Sequence, residues 1–414
     1  MSTTPRWRTA ALFAVPVAVL LALIGPQAAL AASPPAGPPL LLSSPSSPDA
    51  PAGAAEPTEP TGAAAKPPQV PAPTTHRPVG AADVHLVDSS RPDPWRPGTP
   101  ARELMATLWY PAQSARGGEL PYVSPELSTA LYGFPDFGTV RTGVRARTVP
   151  APGPHPLVVL SPGYGYSRTS LTALAEDLAA RGYVVAALDH TYETVVRFPD
   201  GRVENCLICD RTDDAFVAEV TRSRAKDIRF LIDRLTAPGP GLVPGLVPGL
   251  RVDRSRIGAA GHSLGGASAV EAMREDGRIR AAADLDGDFF APLPAGGLPG
   301  PVLLLGAQRH AGENPAANWD RAWQQLTGWK RWLDLPDAGH LSFCDMHWLV
   351  DAFGVRDQLP PETAPEQFGT VKGARALAAT RAYLGAFFDR HLLGRPARLL
   401  DGPSAAYPEV RFAK

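Results

Sequence analysis

Apolar residues along this 414-residue chain change their spacing from one end to the other. From about residue 79 onward, short continuous apolar runs alternate with stretches of helical period. Leu104 to Tyr110, Leu157-Val158-Val159-Leu160, Tyr183 to Leu188, Ile257 to Ala260, Ile279 to Leu285, Val302 to Leu305 and Trp329 to Leu335 read as strands buried on both faces. Between them, Leu171 to Arg181 has helical periodicity. Arg222 to Leu235 places Ile228, Leu231, Ile232 and Leu235 on one face with charges between, the pattern of an amphipathic helix. This alternation predicts an α/β fold, a mostly parallel central sheet with helices on both faces. The near-repeat from Pro240 to Leu250 is expected to be an expanded loop that enters the N-terminal end of a strand, opposite the edge where such sheets gather their chemistry.

The N-terminal region follows another pattern. Arg6 and Arg8 precede an apolar run from Ala10 to Ile24, and Ala29-Leu30-Ala31 then offers small residues at the positions a signal peptidase reads. Residues 1–31 are therefore expected to be a signal peptide cleaved near Ala31, making the protein secreted and extracellular; a retained anchor is the weaker alternative. Residues 32–77 are rich in Pro, Ala, Ser and Gly with almost nothing to bury, which predicts a disordered linker. Residues 78–414 are then expected to form one α/β domain. A formal net charge of −1 and the lack of a basic patch give no case for a nucleic-acid partner. Of the three cysteines, Cys206 and Cys209 are expected to form a small structural disulfide, and Cys344 to be a buried apolar residue.

The chemistry is concentrated in Gly261-His262-Ser263-Leu264-Gly265. A chain with 39 glycines can produce G-x-S-x-G by chance, but here the motif follows a strand and opens onto the small residues Gly266-Ala267-Ser268-Ala269. That context is what a nucleophile elbow requires, with a serine held at a tight strand-to-helix turn. A serine nucleophile needs a histidine base and a carboxylate to orient it, following in the order acid then histidine. His340, in Asp337-Ala338-Gly339-His340-Leu341-Ser342, is preferred over His310 and His347. Asp286, ending a strand, is preferred over Asp284, Asp288 and the later Glu313. The main-chain N–H groups of Leu264 and of Tyr164, in Ser161-Pro162-Gly163-Tyr164-Gly165, are the expected oxyanion donors. Tyr166, Phe289, Phe290 and Trp348 are candidates to line an acyl pocket. The scheme calls for no metal and no organic cofactor.

With these residues in place, the segment from about Leu157 to Leu349 resembles the plasma and type II platelet-activating factor acetylhydrolases and their bacterial relatives. The resemblance rests on Asp253-Arg254-Ser255-Arg256-Ile257 leading into the elbow, on Leu285-Asp286-Gly287, and on Gly339-His340-Leu341-Ser342-Phe343-Cys344-Asp345. It implies an α/β-hydrolase fold, Asp286 as the acid, and hydrolysis of a short acyl group on a lipid or phospholipid-like ester, with transient contact to a lipid interface. Ser161-Pro162 departs from the family's oxyanion loop, and Pro162-Gly163-Tyr164 also looks like actinobacterial lipases and cutinase-like polyester hydrolases. A non-catalytic secreted binding protein on the same fold is the alternative from another class.

Overall fold

A computed structural model describes residues 66–133, 135–146, 148–237, 245–290, 293–294, 296–307, 319–361 and 363–414. The expected signal peptide, most of the expected linker, residues 240–244 of the near-repeat, and the candidates His310 and Glu313 lie outside them.

In chain order the elements are β1 (Val79–Asp88), β2 (Arg102–Pro111), β3 (Glu119–Pro121), α1 (Pro125–Tyr132), β4 (Arg141–Ala146), β5 (Pro154–Ser161), α2 (Thr172–Arg181), β6 (Val184–Asp189), β7 (Val196–Arg197), β8 (Val203–Glu204) and α3 (Asp214–Thr236). They continue with β9 (Arg251–His262), α4 (Leu264–Glu275), β10 (Ile279–Leu285), β11 (Val302–Gly306), α5 (Trp319–Gln325), β12 (Lys330–Asp334), α6 (Asp345–Phe353), α7 (Thr363–Phe368), α8 (Gly373–Leu393) and β13 (Arg411–Phe412). Among the described residues, eleven strands form one sheet in the order β13-β12-β11-β10-β9-β5-β6-β2-β1-β4-β3. The run from β6 to β12 is parallel, and β2 and β13 join it antiparallel.

The two-sided burial inferred from the apolar runs follows from the period of two along each strand. Leu157 and Val159 of β5 face a cluster that includes Ile228 and Leu231 of α3 and Val270 of α4. Val158 and Leu160 point the other way, into a cluster with Leu174 of α2, Leu349 of α6 and Phe388 of α8. The chain leaves β5 for β6 on one side, while β9 returns on the other. Such a switch of direction opens a crevice at the C-terminal ends of the strands.

Three differences from the sequence reading have local causes. Helix α3 starts at Asp214, well before Arg222, because the Asp213 carboxylate caps it by accepting the Phe216 N–H at 3.0 Å. Helix α8 and strand β13 complete the domain beyond the last strand anticipated. The expected linker reaches too far. Val70 is only 2% exposed, its N–H donates to the Arg141 carbonyl at 2.9 Å, and Thr74 bonds Asp177, so the chain joins the fold before residue 78.

One close approach shapes the crevice. A Cβ on either Gly261 or Gly265 would overlap the Ser161 carbonyl oxygen, so β5 and the turn after β9 meet backbone to backbone. On the opposite face, Asp345 opens α6 and accepts the Ala173 N–H at 3.0 Å, tying α6 to the first turn of α2. Burial pushes the Asp345 carboxyl up to about 7 and that of Glu176 up to about 8, against the pull of Arg381.

Two outcomes are expected from this packing. Gly265→Ala should lose soluble yield and melting temperature, by roughly 1–3 kcal/mol of overpacking in thermal unfolding. The folded protein retains a proton on Glu176 that the unfolded chain releases, so its stability should fall as pH rises from about 4.5 toward 8. Glu176→Gln should flatten that part of a denaturation-against-pH curve.

Candidate active site

Ser263 lies between the end of β9 and the start of α4 with φ 55° and ψ −129°, a backbone state that side chains other than glycine rarely adopt. Its N–H donates to the Leu285 carbonyl and its own carbonyl accepts from Gly266, both at 2.8 Å. These bonds hold a conformation that costs on the order of 1–3 kcal/mol. The turn presents the side chain to the crevice, where Ser263 Oγ stands 3.0 Å from His340 Nε2.

Asp286, directly after β10, also has a left-handed backbone, with φ 61°. Its buried carboxylate accepts the Ala307 N–H at 2.7 Å through Oδ1 and meets His340 Nδ1 at 2.6 Å through Oδ2. An ionised carboxylate only accepts hydrogen bonds, so Nδ1 carries the imidazole proton and the Nε2 lone pair faces Ser263 Oγ. The structure therefore brings Ser263, His340 and Asp286 into one hydrogen-bonded line. Asp284 lies elsewhere, its Oδ1 accepting the Gly287 N–H at 2.9 Å.

His347, the other described candidate base, supports the loop bearing His340. Burial pushes its imidazole down to about 4, so it is neutral; it meets Ser342 Oγ at 2.9 Å and accepts from Arg356 at 2.9 Å. Ser342 in turn receives the Gly339 N–H at 3.0 Å. His262, inside the motif, donates from Nε2 to the His340 carbonyl at 2.8 Å. Neither support was anticipated from the sequence, because each depends on which loop lies opposite.

Leu264 is the first residue of α4, so its N–H has no acceptor one turn earlier in the helix. Tyr164 follows β5, the sheet neighbour of β9, and among the described residues no acceptor meets its N–H. Its hydroxyl donates to the Ile208 carbonyl, within the loop closed by the Cys206–Cys209 disulfide, whose Cα atoms are 5.8 Å apart. Cys344 is buried and unpaired with another cysteine.

The four aromatic candidates separate by position. Phe290 and Tyr164 pack against a cluster of Trp95, Tyr192, Phe216 and Leu264, and Phe289 and Phe290 border a small hollow with Ala267 and Leu293. Tyr166 and Trp348 are buried at 4% and 7% exposure in the core cluster that also holds α2, α6 and α8.

His190, Glu193 and Asp227 place one potential ligand atom each within 4.8 Å of one another. Arg102 and Arg91 already engage Asp227, and Arg224 engages Glu193. A cation there would displace buried guanidinium partners.

The chain is similar to several known ester hydrolases. The family model "Platelet-activating factor acetylhydrolase, isoform II" matches residues 101–197, which include Tyr164 but end before Ser263. A probable 1-alkyl-2-acetylglycerophosphocholine esterase from Arthroderma benhamiae is 29% identical over 62% of this chain and 66% of its own length. The platelet-activating factor acetylhydrolase of Bos taurus is 28% identical over 37% of this chain and 40% of its own length. The chain thus spans between two fifths and just under two thirds of these curated relatives. A solved ferulic acid esterase from Streptomyces cinnamoneus is 57% identical, with a TM-score of 0.79, over 84% of this chain and 100% of its own. With the sheet, the elbow and these similarities together, the chain belongs to the α/β-hydrolase family that joins the platelet-activating factor acetylhydrolases to related bacterial esterases, a family of carboxylic ester hydrolases.

Proposed function

We propose that this protein hydrolyses carboxylic esters through an acyl-enzyme formed on Ser263. The observation that carries the reading is the line from Asp286 Oδ2 through His340 to Ser263 Oγ, with separations of 2.6 and 3.0 Å. Ser263 Oγ attacks the ester carbonyl carbon as His340 Nε2 takes its proton, and Asp286 stabilises the imidazolium that forms. The carbonyl oxygen becomes an oxyanion, met by the N–H groups of Tyr164 and Leu264. His340 then gives the proton to the leaving alcohol. A water activated by the same imidazole releases the acid and restores Ser263.

For substrate, an aromatic acyl group is the reading we favour. Leu264 packs in a buried cluster with Trp95, Tyr192 and Phe216, against which the partly buried rings of Tyr164 and Phe290 lie, and a flat ring is well matched by such edges and faces. The relative with the highest identity reported above is named a ferulic acid esterase. A short-acyl phospholipid-like ester is the second reading, supported by the names of the curated relatives. We also propose that the protein acts outside the cell, since the Arg6/Arg8-flanked apolar run and the Cys206–Cys209 disulfide both suit an exported chain.

A fluorophosphonate should label Ser263 in the purified protein, and Ser263→Ala should abolish both labelling and turnover of 4-nitrophenyl acetate. His340→Ala should lower kcat by about four to six orders of magnitude, and Asp286→Asn by about four. Full activity in Ser263→Ala would sink the mechanism. For the acyl group, kcat/KM for methyl ferulate should exceed that for an acetylated ether phospholipid at least tenfold; the reverse order would make the lipid reading the correct one.

A further inference from the structure

At the root of the loop that carries Tyr164 lies a second Ser–His–Asp line that plays no chemical part in the mechanism above. Ser161 Oγ donates to His190 Nε2 at 2.9 Å, and His190 Nδ1 donates to Asp227 Oδ2 at 2.8 Å. Ser161, His190 and Asp227 are all essentially buried, at 0%, 1% and 0% exposure. Burial, helped by the charge of Arg224, keeps the His190 imidazole below its ordinary value and neutral. Burial works against the Asp227 carboxylate, but Arg102, His190 and Arg91 hold it well below the usual range. With Asp227 ionised, the His190 proton is fixed on Nδ1 and Nε2 is left to accept from Ser161.

A second arm grips the next residue. Arg224 Nη1 donates to the Pro162 carbonyl at 2.6 Å, while its Nε meets Glu193 at 2.5 Å. Glu193 also accepts the indole N–H of Trp95 at 3.0 Å and faces Arg102 at 3.5 Å. Arg102 closes the ring on Asp227 at 2.9 Å and reaches Asp93 and the Thr191 carbonyl. Asp93, Glu193 and Asp227 therefore stand against the buried Arg102 and Arg224 and the partly exposed Arg91, all drawn into one network.

Ser161 and Pro162 are thus held by directional bonds from one side, and the Ser161 carbonyl is wedged against Gly261 and Gly265 from the other. Two peptide units further on is the Tyr164 N–H. Apolar packing fills such a volume equally well but does not set the rotation of a peptide plane, whereas a ring of charged hydrogen bonds does. We propose that this network is the positioning framework of the oxyanion donor, with Ser161, His190 and Arg224 fixing the direction of the Tyr164 N–H. The proposal rests on the ester-hydrolase reading. It makes these three positioning residues and assigns them no contact with substrate.

The test compares 4-nitrophenyl acetate with its thionoacetate analogue, in which sulfur replaces the carbonyl oxygen and accepts hydrogen bonds poorly. Ser161→Ala removes one grip. Arg224→Lys keeps the charge beside Glu193 but gives up the reach to Pro162, and the two variants guard against either failing to fold. In variants that keep a native circular dichroism spectrum, kcat on the oxygen ester should fall about 10- to 100-fold with KM within threefold. Turnover of the thionoester should fall less than threefold, so the oxygen-to-sulfur rate ratio collapses. An unchanged oxygen-to-sulfur ratio in a folded variant, whether both rates fall equally or neither falls, would overturn the proposal while leaving the acyl-enzyme reading intact. Failure of the wild-type protein to turn over either ester would instead overturn both.

Discussion

Where β5 passes the turn after β9, two stretches of main chain approach so closely that neither Gly261 nor Gly265 has room for a side chain. This contact fixes the distance between the loop after β5 and Ser263, and the rest of the site depends on it. Ser263 accepts an uncommon backbone state because its N–H is bonded to Leu285 and its carbonyl to Gly266. The same state aims its hydroxyl toward the loop that ends in His340. Widening the crossing would move the proposed oxyanion donors relative to Ser263 even with Ser263, His340 and Asp286 all still present, and a misplacement of about 1 Å is enough to cost two orders of magnitude in rate.

The strained turn is supported from two sides by different physics. Under α2, α6 and α8 the support is apolar burial, with Phe388 pressed against Gly258 and with Tyr166 and Trp348 absorbed into the core. On the side facing α3 it is a charged network whose members, Arg91 apart, are almost wholly buried. Such a network adds little net stability over an apolar core of equal volume, because desolvation offsets most of the Coulomb attraction. What it adds is direction. The division of labour is sensible for a site that needs tight packing under the nucleophile and fixed peptide orientation beside it.

Much of this was legible in the sequence because it depends on local pattern. The parallel strands are buried on both faces and so appear as uninterrupted apolar runs, and the elbow is marked by glycines required within five residues. Ser263, Asp286 and His340 follow the order in which strand ends reach one edge of the sheet, and the structure sets them in hydrogen-bond contact. The rest is hidden for equally physical reasons. Helix α8 is apolar around much of its circumference, with Leu377, Tyr383, Leu384, Phe387 and Phe388 all buried, so no single stripe announces it. The Pro-rich segment around Val70 has no periodicity; it takes its place by pairing with Arg141 at the start of β4 and through the bonds of Thr74 to Asp177. His190, Glu193 and Asp227 look in the sequence like scattered polar residues in the loop after β6 and on α3. Their partnership is created by the packing of α3 across the sheet.

The inner line from Ser161 through His190 to Asp227 has nearly the same residue types and separations as the outer line from Ser263 through His340 to Asp286. A search for serine, histidine and aspartate at hydrogen-bond spacing would return both with similar scores. Only the outer serine combines a left-handed backbone with a neighbouring helix N-terminus whose amide awaits an acceptor, and only its histidine reaches solvent, at 11% side-chain exposure. Reactivity in this molecule is therefore a property of where the chain leaves a hydrogen-bonding requirement unmet, and three matching side chains whose requirements are all satisfied make an anchor instead of a catalyst.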